Sequence, residues 1–130
     1  MHSFLMVGLG SALGGMARYG ATLLLAQRYG EDFPWGTLFV NVTGSFVIGF
    51  FFALTAAGGR WPVSPDWRIF VTVGICGGYT TFSSFSLQTL TLLRFGAWLP
   101  AALNAVGSVV LCLAATSLGT ACATLLQPKP

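Results

Sequence analysis

Ile69-Phe70-Val71-Thr72-Val73-Gly74-Ile75-Cys76-Gly77-Gly78-Tyr79-Thr80-Thr81-Phe82-Ser83-Ser84-Phe85-Ser86-Leu87-Gln88-Thr89-Leu90-Thr91-Leu92-Leu93 carries no charge from end to end. It is long enough to cross a bilayer core, which takes roughly 20 predominantly apolar residues. Its centre is unusual for a spanning helix: the pair Gly77-Gly78 is followed by five hydroxyl residues between Thr80 and Ser86. Backbone left unpaired in lipid costs several kcal/mol per group, so an interrupted helix persists only where it is buried in protein or lines a cavity. The stretch is expected to be a third span broken at mid-membrane, and the break reads as a site for an ion.

The rest of the chain agrees with a membrane setting. Of 130 residues, 55% are hydrophobic and 7% charged, against roughly 25% charged in an average soluble domain. That excludes a soluble globular protein and any sizeable disordered segment. Four spans are expected, at about Ser3–Gln27, Pro34–Ala57, Ile69–Leu93 and Trp98–Leu126. The first is too long and too rich in glycine for a signal peptide. Together they make 1–130 a single all-α integral membrane domain. The Gly58–Pro65 stretch is a breaker cluster and serves as a connector.

Charge placement carries a second message. With four spans, Arg60, Arg68 and Lys129 fall on one side, and Arg28 and Arg94 on the other, with Arg18 near that end of the first span. Orientation normally follows a Lys/Arg excess in cytoplasmic loops, and here the two sides nearly balance. Either short loops simply hold few charges, or the protein inserts both ways and pairs antiparallel with itself. The net charge of +3 gives no argument for a nucleic-acid partner. Cys76, Cys112 and Cys122 all fall inside proposed spans, without CxxC spacing or a nearby histidine, and read as small packing residues.

Several residues within the spans allow two readings. Gly8, Gly10, Gly14 and Gly15 suit close helix approach. Arg18 either snorkels to the interface or lines an aqueous vestibule that gathers anions. Thr37, Asn41 and Ser45 recur at i, i+4, i+8 and form one polar stripe. Asn104 and Ser108 form a shorter one; each stripe is either interhelical glue or a row of donors facing a pathway. Freed carbonyls at a mid-membrane break suit a small hard cation. Phe82 and Phe85, three apart, share a face and are either core packing or ring edges turned to an anion, since an aromatic edge carries partial positive charge.

Taken together, Gly14-Gly15-Met16-Ala17-Arg18-Tyr19, Gly36-Thr37-x-x-x-Asn41-x-x-Gly44-x-Phe46 and Gly77-Gly78-x-Thr80-Thr81-Phe82-Ser83-x-Phe85 resemble the bacterial fluoride channels called Fluc or CrcB. Asn104-x-x-Gly107-Ser108 is similar to that family's fourth-span pattern, so the resemblance covers all four spans in order. It implies a dual-topology, antiparallel homodimer in the bacterial cytoplasmic (inner) membrane that passes fluoride passively out of the cell. It also implies a structural sodium ion at the dimer interface, held by the backbone carbonyls of Gly77 and Thr80. Phe82 and Phe85 match pore-facing phenylalanines, and Asn41 a pore asparagine. Thr37, Ser84 and Ser108, with Asn104, match the fluoride pathway, and Arg18 the vestibule. If backbone holds the ion, Thr80→Ser should be mild and Gly77→Val severe through lost helix approach. Ser84 stands where relatives often carry Thr, which keeps the hydroxyl. Gln88 stands where many carry Glu, which removes an ionisable group.

Three rivals weigh against this reading. A dual-topology small-molecule exporter driven by proton exchange needs an acid at membrane depth, yet Glu31, Asp32 and Asp66 all fall in loops. A structural membrane subunit explains the glycines and short polar stripes, but not the hydroxyl-dense break. An enzyme finds no nucleophile–base pair or metal constellation.

Overall fold

The computed structural model describes residues 1–56 and 61–127. Arg60 and Lys129, two of the charges weighed above, lie outside the described residues, as do Gly58-Gly59 and Ala57 at the expected end of the second span. The described chain is helical, without strands: α1 (His2–Tyr29), α2 (Trp35–Leu54), α3 (Pro65–Ile69), a π-helical segment Phe70–Cys76, α4 (Gly77–Tyr79), α5 (Phe82–Arg94) and α6 (Trp98–Leu125). Of these, α2 and α6 are long and apolar enough to cross a membrane by length and composition. With 28 residues, α1 extends about 42 Å at 1.5 Å per residue.

Chain ends of the helices follow local chemistry. Past α5, Gly96 adopts φ 74°; its N–H reaches Leu93 O at 3.1 Å and Ala97 N–H reaches Leu92 O at 2.9 Å. That is the paired i→i−3 and i→i−5 closure for which a residue in the left-handed region, usually glycine, is required. The turn folds α6 back on α5. The C-terminus of α2 is capped from three directions: Thr55 Oγ1 on Phe51 O (2.7 Å), Arg68 Nη2 on Phe52 O (3.2 Å) and Gln127 Nε2 on Ala53 O (2.9 Å). The Arg68 guanidinium also lies 4.2 Å from the Phe52 ring centroid. A cation here meets the negative end of the helix dipole.

Packing relies on small residues. The fully or nearly fully buried apolar positions are Val40, Leu54, Cys76, Ala101 and Ala123, while leucines, valines and phenylalanines are exposed all round the outside. Helices in lipid gain little from burying leucine, so contact comes from close backbone approach. A Cβ at Gly10 would stand 2.7 Å from Phe70 O, one at Gly14 2.8 Å from Tyr79 N, and one at Gly78 2.6 Å from Ser11 O. These glycines press α1 onto the π-helical segment and α4. On the other side, Gly49 meets the Thr116 backbone and Gly119 the Phe46 backbone, locking α2 against α6.

The third expected span, Ile69–Leu93, is assembled from pieces, running from α3 through the π-helical segment and α4 to α5. The π-helical turn has no counterpart in the sequence reading. Such turns widen the helix by one residue and recur at functional sites.

Candidate functional site

Between α4 and α5, Thr80 (φ −85°, ψ 159°) and Thr81 (φ −153°, ψ 118°) are extended. Two extended residues leave backbone groups without helical partners, and neighbouring side chains take them up. Asn41 Oδ1 accepts from Thr81 N at 2.7 Å, and Asn41 Nδ2 donates to Thr81 O at 3.0 Å. One amide side chain thus pairs both backbone groups of one residue, as a neighbouring strand would. Thr81 also caps α5, its Oγ1 accepting from Ser84 N at 3.2 Å.

From α1, Arg18 Nη1 donates to Thr80 O at 3.2 Å. Gly10, Gly14 and Arg18 follow at intervals of four and share a face, so the glycines that seat α1 also deliver the guanidinium to the break. Arg18 therefore does not simply snorkel; it is half-buried and bonded to the broken backbone. Thr43 spends its hydroxyl hydrogen on Phe39 O (2.7 Å), so Tyr79 Oη must be the donor in their 3.1 Å contact.

Thr80 N donates to Cys76 O at 2.9 Å while Thr81 N is turned to Asn41. The Gly77 carbonyl consequently lacks the i+4 donor of a continuous helix. Gly77 and Thr80 therefore offer hard oxygen acceptors suited to a monovalent cation, although Arg18 already occupies part of the Thr80 oxygen. No cluster of three or more His, Cys, Asp or Glu occurs among the described residues, so a cation here would depend on neutral oxygens, those of the backbone among them. The expectation that Gly77 mediates helix approach needs correction. Gly77 is exposed, and an added Cβ would meet nothing nearer than Thr72 O at 3.9 Å. Gly78 is the tightly packed member of the pair.

The break opens onto a groove of about 300 Å³ lined by Asn41, Gly77, Thr80, Phe82, Phe85 and Ser108, among others. Six of the sequence-predicted residues thus meet at one place. No charged residue lines the groove; Cys76 and Cys112 contribute to its wall. The rings of Phe82 and Phe85 lie 5.3 Å apart at 42°, and Phe82 is 77% exposed.

Residues 5–120 match the family described as CrcB-like protein, Camphor Resistance (CrcB). The chain belongs to the CrcB family. It is 59% identical over 119 residues to "Fluoride-specific ion channel FluC" of Opitutus terrae, covering 92% of this chain and 90% of that one. The protein of the same name from Paramagnetospirillum magneticum is 53% identical over 127 residues, covering 98% and 99%. That from Rhodospirillum rubrum is 53% identical over 125 residues, covering 96% and 97%. With the apolar exterior, this makes the CrcB chain a membrane protein.

Four predicted residues of this CrcB chain lie away from the groove wall. Arg18 is bonded behind it, as described. Ser84 Oγ accepts from Thr81 Oγ1 at 3.1 Å, which leaves its own hydrogen to point elsewhere. Asn104, fully buried, donates from Nδ2 to Thr89 Oγ1 at 2.8 Å and accepts from Ser108 Oγ at 3.4 Å. It works as glue between α5 and α6 and orients Ser108. Thr37 borders a separate cavity of about 500 Å³ shared with Tyr19, Glu31 and Gln88. Gln88 Oε1 is buried with no hydrogen-bond partner.

Sequence reasoning missed the Arg18–Thr80 bond, the Tyr79–Thr43 contact and the dual bond of Asn41. The Gly10–Gly14–Arg18 spacing was a usable signal for the first. Nothing in the sequence marks the other two.

Proposed function

We propose that this chain is a fluoride-specific ion channel, passing fluoride passively across the bacterial cytoplasmic membrane and lowering its concentration inside. The observation that carries the reading is the uncharged groove at the break, where Phe82, Phe85, Asn41 and Ser108 meet. The names of relatives more than 50% identical support the choice of ion. Fluoride is small and strongly hydrated, so a pathway must replace its water with compact donors. Ring-edge, hydroxyl and amide hydrogens do this without the deep trap a buried cation would create. Conduction needs binding favourable enough to admit the ion yet weak enough to release it.

The working unit of this proposal is an antiparallel, dual-topology homodimer of multi-pass subunits. The near balance of Lys and Arg supports it, as do the exposed Phe82 and Gly77, which give a second copy a surface to meet. Fluoride pathways would run beside Phe82, Phe85, Asn41, Ser108 and Ser84, with Thr37 further along and Asn104 holding Ser108. Arg18 would face the vestibule when not bonded to Thr80. A sodium ion would be held by the Gly77 and Thr80 carbonyls. It would satisfy acceptors that the break leaves in a low-dielectric interior.

Efflux from liposomes containing purified protein tests the function: fluoride should pass and chloride should be strongly excluded, with no proton gradient needed. Comparable chloride efflux, or strict dependence on a proton gradient, refutes it and returns the exporter reading. Two or three lysines added after Pro130 should bias orientation and lower activity, and coexpression of an oppositely biased copy should restore it. Full activity from a chain held in one orientation refutes the antiparallel dimer.

A further inference from the structure

Arg18 is brought to the break by register, since Gly14 and Gly10, about one and two turns earlier, seat α1 against the segment that ends at Thr80. Its guanidinium bonds to Thr80 O, an oxygen proposed above as a sodium ligand, and not to an acid. We infer that Arg18 is the resident cation of that site: its guanidinium and a sodium ion compete for the Thr80 carbonyl, and the side chain sets the ion's affinity.

A carbonyl oxygen has two lone pairs, so both contacts are geometrically conceivable. Two cations on one oxygen, however, lie only about 5 Å apart at ordinary contact distances. In a partly buried setting they repel strongly enough that both contacts are not held at full strength. The coupling is reciprocal: whatever tightens the ion loosens Arg18, and the reverse. Sodium binding then has a second consequence. It frees a positive guanidinium beside the groove, where it can raise the local concentration of anions.

The inference rests on the sodium site at Gly77 and Thr80, and the test separates the two. Thermal unfolding of the purified dimer in detergent is followed over a sodium titration, with N-methyl-glucamine holding ionic strength constant. Sodium should raise the unfolding temperature of the wild type. The half-saturating sodium concentration should fall at least about tenfold in Arg18→Gln and Arg18→Met. Arg18→Lys keeps the charge and should stay within about threefold of wild type. A merely structural role would lower the unfolding temperature at every sodium concentration and leave half-saturation unchanged, and that result overturns the inference alone. A wild type indifferent to sodium overturns the sodium site and the inference together. If neither neutral variant forms a folded dimer even in saturating sodium, Arg18 is a structural residue and the inference falls.

Discussion

Replacing Asn41 with alanine should open the helix break without disturbing the four long helices. Asn41 pairs both backbone groups of Thr81, at 2.7 and 3.0 Å, and Thr81 is only 8% exposed. Removing the amide strands a donor and an acceptor. Each buried unsatisfied group costs about 1–3 kcal/mol, and water reaching the neighbouring groove recovers part of it. A net loss of about 2–4 kcal/mol is therefore expected, concentrated at residues 80–84 and not spread over the fold. Every 1.4 kcal/mol is tenfold, so the Thr81 amide should exchange with deuterium roughly 30 to 1,000 times faster in Asn41→Ala. Asn41→Leu should behave alike, because it restores volume but neither bond. Amides in the interior of α6 should keep their wild-type protection. Hydrogen exchange on the protein in micelles reads the local effect, and unfolding in mixed detergent micelles reads the global one. Unchanged exchange at Thr81, with an unchanged unfolding midpoint, would mean that Asn41 does not hold the break.

Phe82→Ile and Phe85→Ile should slow fluoride efflux at least about tenfold while leaving the proposed dimer intact on sizing columns, because they remove ring edges at an exposed and a half-buried position and keep an apolar side chain at each; wild-type efflux in both removes them from the pathway. Gly78→Ala should cost about 2 kcal/mol or more by forcing α4 off α1, whereas Gly77→Ala should stay within about 1 kcal/mol; equal unfolding midpoints would refute the packing assignment. With no Asp, Glu, His or Lys lining the groove, efflux measured at constant fluoride activity should vary less than about twofold from pH 6 to 8; a sharp titration in that window would reveal an ionisable group in the path.

The membrane class, the helices and the place of the interruption were legible in the sequence because each depends on local composition. A long uncharged and mostly apolar run favours lipid or a protein interior over water wherever it is placed. Paired glycines followed by clustered hydroxyls weaken a helix whatever surrounds them, and the expected resumption at Phe82 agrees with α5 starting there. The motif spacings carried the family for the same reason. Other features depend on residues far apart in the chain. Whether a polar side chain acts as glue or faces a pathway is decided by what stands opposite: Asn41 faces Thr81, 40 positions away, and Asn104 faces Thr89 across a turn. Which of two adjacent glycines must lack a side chain is decided by the helix passing beside them, and α1 passes beside Gly78, not Gly77. The direction taken by Arg18 was open in the sequence because a long cationic side chain reaches either water or a carbonyl. Only the tertiary structure, through the close approach that Gly10 and Gly14 allow, brings the Thr80 oxygen within reach.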